Sequence, residues 1–412
     1  MKRERDKLFS FHKESKFLKY GRYCLERDIL RIAYSLFEAE KSLKKSGSVS
    51  EITIPLSIKT FNRVDARKLK RILEELFLLI LLEDVNIDIK VIDDIGERVW
   101  KELEFPEKEA IVLFSAGVDS YSGIKIAEKK YKDLLGLFVA HNDQGKIIRI
   151  VEEMKPLIAT EIRTLYAPGM GSSGYSQLRG FVYILSAGVY ANLCKADKIL
   201  VTECGPTMYQ PLFSPYDSIT YTTHPYVLKA AQDVLDLLLD NKPKIIIPFE
   251  DLTKAEVVSN SEIKDFSATH SCISQRFGDH DGTCFGCVIK RLACTVSGVK
   301  DVIYRNDMFD GNANQDNLLN TLAFSADLLE AYDSMPAFET EKIEEFQKHD
   351  LFQRYALDNL AGLMLGVKEQ HPLAQRFISN KEILEERISE VRGNSRKPDF
   401  NKCVNGNTNS HL

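Results

Sequence analysis

Two groups of residues in this 412-residue chain have the types and spacing that do chemistry. The first is Ser115-Ala116-Gly117-Val118-Asp119-Ser120, which follows an apolar run at 110–114 and precedes an amphipathic stretch reaching residue 131. Strand, turn of small residues and helix, in that order, make an anion cradle. Ser115, Ala116 and Gly117 let the backbone come close to a phosphate, and a helix starting near Asp119 aims free N–H groups and its positive dipole end at it. Ser115 and Ser120 add hydroxyl donors, and Asp119 either caps the helix or holds phosphate oxygens across Mg2+. No Gly-Lys-Ser/Thr follows, which excludes the Walker A arrangement.

The second group is Cys272, Cys284 and Cys287, three of eight cysteines. A Cys-x2-Cys pair with a third cysteine upstream predicts a structural zinc site, which takes four ligands near tetrahedral geometry. Cys294 lies seven residues beyond Cys287. On one helix that is about 10 Å along the axis, too far for ligand bonds of about 2.3 Å, so Cys294 reads as a buried apolar residue. Asp281 and His280, with His270 behind them, are the candidates for the fourth ligand. Two further positions are candidate substrate contacts. Arg179 follows a glycine-rich connection (Gly169, Gly171, Gly174) that can open over a ligand, and its guanidinium suits a phosphate or carboxylate. His224 opens the helix that starts at Pro225, either as its cap or as a site residue.

The elements that must position these residues are legible in the apolar pattern. Short runs at 110–114, 134–140, 162–166, 198–202 and 244–248 lack polar alternation, as strands buried on both faces do, and helical patterns at 177–194 and 225–239 lie between them. This predicts an α/β fold with a doubly wound parallel sheet, whose ligands bind at the carboxyl ends of the strands. Residues 1–105 read as an N-terminal α+β domain, with helices at 10–45 and 66–82 and alternating strands at 51–59 and 85–91. Residues 106–300 form the nucleotide domain, and 301–412 a helical region (317–332, 340–365, 381–391) ending in about 20 residues of loose tail.

Composition narrows the function classes. Hydrophobic residues at 44% and charged residues at 28% are globular proportions. A net charge of −5 removes the electrostatic case for coating nucleic acid. The longest aliphatic and aromatic run, 76–82, is far shorter than the roughly 20 residues that span a bilayer, and no signal-peptide pattern precedes it. A cytoplasmic chain with reduced cysteines and no membrane contact is expected.

The Ser-x-Gly-x-Asp-Ser turn resembles the pyrophosphate loop of the ATP pyrophosphatases, with Ala116 in place of the first glycine of Ser-Gly-Gly-x-Asp-Ser. The resemblance sharpens toward the 7-cyano-7-deazaguanine synthases, which join that loop to a zinc site of four cysteines. Here Cys272, Asp281, Cys284 and Cys287 hold that register, with Asp281 where a cysteine would be. Glu203-Cys204-Gly205 is similar to a Glu-Asn-Gly segment, and Pro248 to Glu256 resembles a Pro-Leu-x4-Lys-x-Glu segment containing Lys254. The likeness covers roughly residues 108–297.

It implies ATP, Mg2+ and Zn2+ as cofactors and adenylation of a 7-deazaguanine carboxylate, followed by amide or nitrile formation. In this role residues 115–120 bind ATP; Asp119, Ser120 and Lys254 are catalytic; Glu203, Arg179 and His224 bind substrate; zinc is structural. The length on both flanks resembles the longer relatives of bacterial anti-phage defence. It allows a partner protein's amine as acceptor in place of ammonia, with nucleic acid not expected; a homodimer is one assembly open to the chain. Two rival classes are a tRNA-modifying or sulfur-transfer adenylase, which needs a persulfide cysteine, and a nucleotide-binding partner protein without turnover.

Overall fold

A computed structural model of the chain describes residues 18–94, 105–141, 145–167, 176–209, 222–273, 280–310, 313–334, 349–367, 371–378 and 380–404. The first unit comprises α1 (Cys24–Ser46), β1 (Glu51–Ser57), a single turn α2 (Ile58–Phe61), α3 (Ala66–Leu81) and β2 (Asn86–Ile92). Helix α1 stops where Gly47 takes φ +78° and returns its N–H to the Leu43 carbonyl at 2.8 Å. It begins at Cys24, later than the pattern predicts, and residues 10–17 of the expected helix lie outside the described residues. Strand β1 alternates, burying Ile52, Ile54 and Leu56, and pairs in parallel with β2 as a separate two-stranded sheet.

The central layer follows: β3 (Ala110–Leu113), α4 (Val118–Lys130), β4 (Leu134–His141), α5 (Gly145–Met154), β5 (Glu161–Ala167), α6 (Arg179–Leu193), β6 (Lys198–Leu200), α7 (Gly205–Tyr209), α8 (Pro225–Leu238), β7 (Lys244–Ile246) and α9 (Lys254–Asn260). The five strands form one parallel sheet in the order β5-β4-β3-β6-β7. Strand β3 shows why both faces are apolar. Ile111 enters the core made with α6 and α8, while Ala110 and Val112 enter the opposite core made with α4 and α5. The first of these cores runs on without a break into α1, β1 and α3, so the N-terminal unit is packed against one face of the sheet.

The C-terminal third adds α10 (Phe285–Ser297), α11 (Asp316–Ser334), α12 (His349–Gly366), α13 (Pro372–Phe377) and α14 (Lys381–Arg392). A third core joins these to α9 through Val288, Leu292, Leu360, Leu363 and Leu384. The expected loose tail is not loose as far as residue 404. Val404 N–H donates to the Ile245 carbonyl and Ile247 N–H to the Lys402 carbonyl, both at 3.0 Å, so the tail covers the edge of β7 in antiparallel sense. Phe400, buried and edge-on to Tyr131 at 5.8 Å, anchors it. Among the described residues no helix is long and apolar enough to cross a membrane.

Candidate active site

In the sheet order, the chain winds outward from β3 through β4 to β5, then returns to β6 and continues to β7. The winding reverses between β3 and β6, and the loops leaving these neighbours at their carboxyl ends must diverge, which opens a crevice there. The loop after β3 is residues 114–117, the loop after β6 carries Glu203 and Cys204, and the loop after β7 leads to Lys254.

The first loop is tied to itself. Ser115 N–H and Ser115 Oγ both meet Ser120 Oγ at 3.1 Å, and Ser120 Oγ donates to the Gly117 carbonyl at 3.2 Å. Ala116 is fully buried at φ +62°, the left-handed region that a glycine occupies without strain. Its carbonyl accepts the His270 N–H at 2.8 Å, which holds it there. Gly117 is the N-cap of α4, so Asp119, the second residue of the helix, is not the cap that the sequence allowed. Ala116 and Val118 send their side chains into the core, leaving only their backbone to face a ligand.

Asp119 instead turns to Lys254, whose Nζ donates to Oδ2 at 2.5 Å. Asp119 is 5% exposed, and its Oδ1 is buried with no hydrogen-bond partner. Ligand atoms of Asp119, Glu203 and Cys204 lie within 4.8 Å of one another. Burial first and the Asp119 carboxylate second push the Glu203 carboxyl up to about 8, against the lowering effect of Lys254. Burial, with Asp119 next, pushes the Cys204 thiol up to about 12; its Sγ sits 3.2 Å from Thr207 Oγ1. Burial alone would lower Lys254, but the Asp119 carboxylate, first among its neighbours, outweighs it and keeps the ammonium protonated. An orphaned carboxylate oxygen beside a second carboxyl group fits a hard divalent cation such as Mg2+. Glu203 therefore stands beside the phosphate loop with Asp119.

The zinc candidates form a neighbouring group. The sulfurs of Cys272, Cys284 and Cys287 lie within 4.8 Å of one another, all buried, and Cys284 Sγ is 3.8 Å from Cys272 Sγ. Three converging buried thiols fit a thiophilic ion such as Zn2+. The hydrogen bond from Cys284, followed by burial, raises the Cys287 thiol as long as no ion is bound.

Asp281 is not among the converging atoms. Its Oδ2 accepts the Thr283 N–H at 3.0 Å, the Thr283 hydroxyl at 2.8 Å and the Cys284 N–H at 2.7 Å, closing the turn that starts α10. Burial would raise its carboxyl, yet these bonds hold it below the usual range. It shapes the cluster through the backbone of Cys284. The His270 and His280 rings lie with centroids 5.0 Å apart, tilted by 59°. Cys294 is buried in the apolar core, as its spacing predicts. The cluster also reaches the first loop. Lys290, 1% exposed, donates to the Phe266 and Thr269 carbonyls and pairs with Asp301 at 2.8 Å, fixing the segment whose His270 backs Ala116.

The remaining candidates are less engaged with this group. His224 caps α8, its Nδ1 accepting the Tyr226 N–H at 3.3 Å, and burial lowers its imidazole to about 4. Arg179 opens α6 with Nε buried and unbonded among the described residues. The glycine-rich connection that would place its neighbours, 168–175, lies outside the described residues. The anion position at the start of α6 is already taken. Glu40 of α1 accepts from Ser176 Oγ at 2.6 Å, Gln177 N–H at 2.7 Å and Leu178 N–H at 3.1 Å. Sequence reasoning missed this cap and the buried partners of Glu256, Arg354 and Arg387. Thr253-x-x-Glu256 was a visible capping-box signal.

No family model matches the chain, and no curated protein matches it. Among solved structures, NMN synthetase from Francisella tularensis is similar at 13% identity over 47% of this chain and 79% of that chain, with a TM-score of 0.23. At that score the two backbones share too little to carry an inference.

Proposed function

We propose that this chain is an ATP-dependent carbon–nitrogen ligase that adenylates a carboxylate at the loop 115–120. One observation carries the reading. Asp119, Glu203 and Lys254, brought from the ends of three adjacent strands, converge on a helix N-terminus at the point where the sheet reverses its winding. Such a crevice suits a polyphosphate: first-turn amides and the Ser115 and Ser120 hydroxyls donate to its oxygens, and Lys254 opposes its charge. Asp119 Oδ1 and Glu203 are the atoms that would hold Mg2+, which when bound neutralises charge on the pyrophosphate. The substrate carboxylate oxygen then attacks the α phosphorus and pyrophosphate leaves; an amine attacks the acyl carbon and AMP leaves, giving an amide.

The finer reading rests on the motif likeness of residues 108–297: a 7-deazaguanine carboxylate as acid, and ammonia or the amine of a partner protein as acceptor, in bacterial anti-phage defence. Glu203 is assigned to the cation in preference to the guanine-like edge, because its oxygens lie beside Asp119. The cysteine cluster, buried in the structure, would hold zinc structurally and so steady the segment behind Ala116. A sulfur-transfer role is disfavoured by Cys204, whose raised thiol is a poor nucleophile. The test is incubation of the protein with ATP, Mg2+, 7-carboxy-7-deazaguanine and ammonia, followed by mass spectrometry. The amide and AMP are expected, and both vanish in Asp119→Ala. An inert acid with every amine offered, partner proteins included, would refute the substrate assignment.

A further inference from the structure

Lys254 is the first residue of α9, a helix of seven residues, too short to hold its own first turn in water. A buried ring of charge from the C-terminal helices fixes that turn. Glu256 Oε2 accepts the Thr253 N–H at 2.9 Å and also Arg354 Nη1, while Oε1 accepts Arg387 Nη2 at 2.8 Å. Arg354 Nη2 donates to the Asp251 carbonyl at 2.9 Å. The Thr253 hydroxyl donates to Asp358, whose other oxygen accepts Arg387 Nε at 2.8 Å. Glu256, Asp358, Arg354 and Arg387 are 2, 4, 6 and 2% exposed, with little water to screen them, and at the rim Arg354 also pairs with Asp350 and Arg387 with Glu390, each at 2.9 Å.

We infer that Arg354 and Arg387 are positioning residues that set where Lys254 meets the phosphate site. The inference rests on the nucleotide reading of loop 115–120. Apolar side chains of similar volume would join these helices at least as strongly as buried ion pairs do. What the ring adds is direction. Guanidinium groups bonded on both sides of residue 254, at Asp251 and at Glu256, fix the angle at which Lys254 leaves its helix. The C-terminal helices are thus part of the phosphate-binding unit.

The test is calorimetric titration of magnesium pyrophosphate into the full-length protein and four variants. Lys254→Met loses a charge-assisted contact, expected to weaken binding about 30-fold. Arg354→Gln leaves Lys254 present but misplaced, with a loss of about tenfold. Added to Lys254→Met it costs nothing further, because it acts through that side chain. Leu384→Ala, which removes a buried residue of α14 outside the ring, lowers stability but keeps wild-type affinity. If Arg354→Gln does not fold, Arg354→Lys replaces it; an ammonium cannot reach Glu256 and the Asp251 carbonyl together, and a smaller loss of the same kind is expected. Wild-type affinity in the Arg354 variant, multiplying losses in the double variant, or an equal loss in Leu384→Ala would each overturn the positioning role alone. A wild-type protein that binds no pyrophosphate would defeat the nucleotide reading and this inference with it.

Discussion

Replacing Lys254 with methionine tests the charge balance of the site. The ammonium lies 2.5 Å from Asp119 Oδ2, with the two side chains 17% and 6% exposed. Removing one partner of a buried pair costs about 3–5 kcal/mol, and the partial exposure of Lys254 puts the expected loss near the lower figure. Asp119→Asn is milder, about 1–2 kcal/mol, because Lys254 still faces Glu203. If the pair acts as a unit, Asp119→Asn with Lys254→Met should lose only about 2 kcal/mol, which leaves a coupling energy of about 2 kcal/mol. The assay is urea unfolding at pH 7.5 with a chelator, followed by circular dichroism, with the slope checked for constancy. Adding Mg2+ should return part of the stability of Lys254→Met, since the cation supplies the counter-charge that the Asp119 carboxylate then lacks. Losses that add to within about 0.5 kcal/mol would refute the reasoning.

Other outcomes follow from single residues. Asp281→Asn should keep the zinc content of the purified protein while Cys284→Ser loses it, as measured by plasma emission; loss in both would return Asp281 to the ligand set. For His224, the folded imidazole sits at about 4, below its ordinary 6.5. Its contribution to stability is therefore present above pH 6.5 and lost as pH falls toward 4, and His224→Asn, which keeps the cap, should flatten the stability profile across that window. Ala116→Gly should be nearly neutral, since relief of about 1–2 kcal/mol of left-handed strain is offset by lost methyl burial and added chain entropy. Ala116→Val should prevent folding or abolish pyrophosphate binding, as thermal melts and calorimetry would show. Truncation after residue 396 bares the edge of β7 and should lower the onset of aggregation in light scattering.

The central sheet was readable because its strands are continuous apolar runs between helical patterns. The runs at 110–114, 198–202 and 244–248 overshoot their strands by one or two residues, since Phe114, Val201 and Ile247 continue to bond to neighbouring backbone after the strand proper has ended, while β4 and β5 extend one residue past the runs at 134–140 and 162–166. The loop 115–120 was legible from local spacing alone. Its partners were not: Lys254 is 135 residues from Asp119, and only a motif likeness, not periodicity, singled it out. Arg354 and Arg387 stand 98 and 131 residues from Glu256, and isolated arginines in helical stretches carry no signal of what they will grip. At Asp281 a ligand register and a helix-start turn have the same spelling in Asp-Gly-Thr-Cys, and its carboxylate meets the backbone donors of Thr283 and Cys284. The tail was misjudged on its polar composition, which hid one anchoring ring, Phe400.

The central claim is that loop 115–120 holds the pyrophosphate portion of ATP while the bond between its α and β phosphorus atoms breaks. Phosphorus NMR of ATP incubated with the protein, Mg2+, a 7-deazaguanine carboxylate and an amine reads that bond directly. The account predicts AMP and pyrophosphate in equal amounts, with neither formed by Asp119→Ala; ADP and orthophosphate as the products would contradict it.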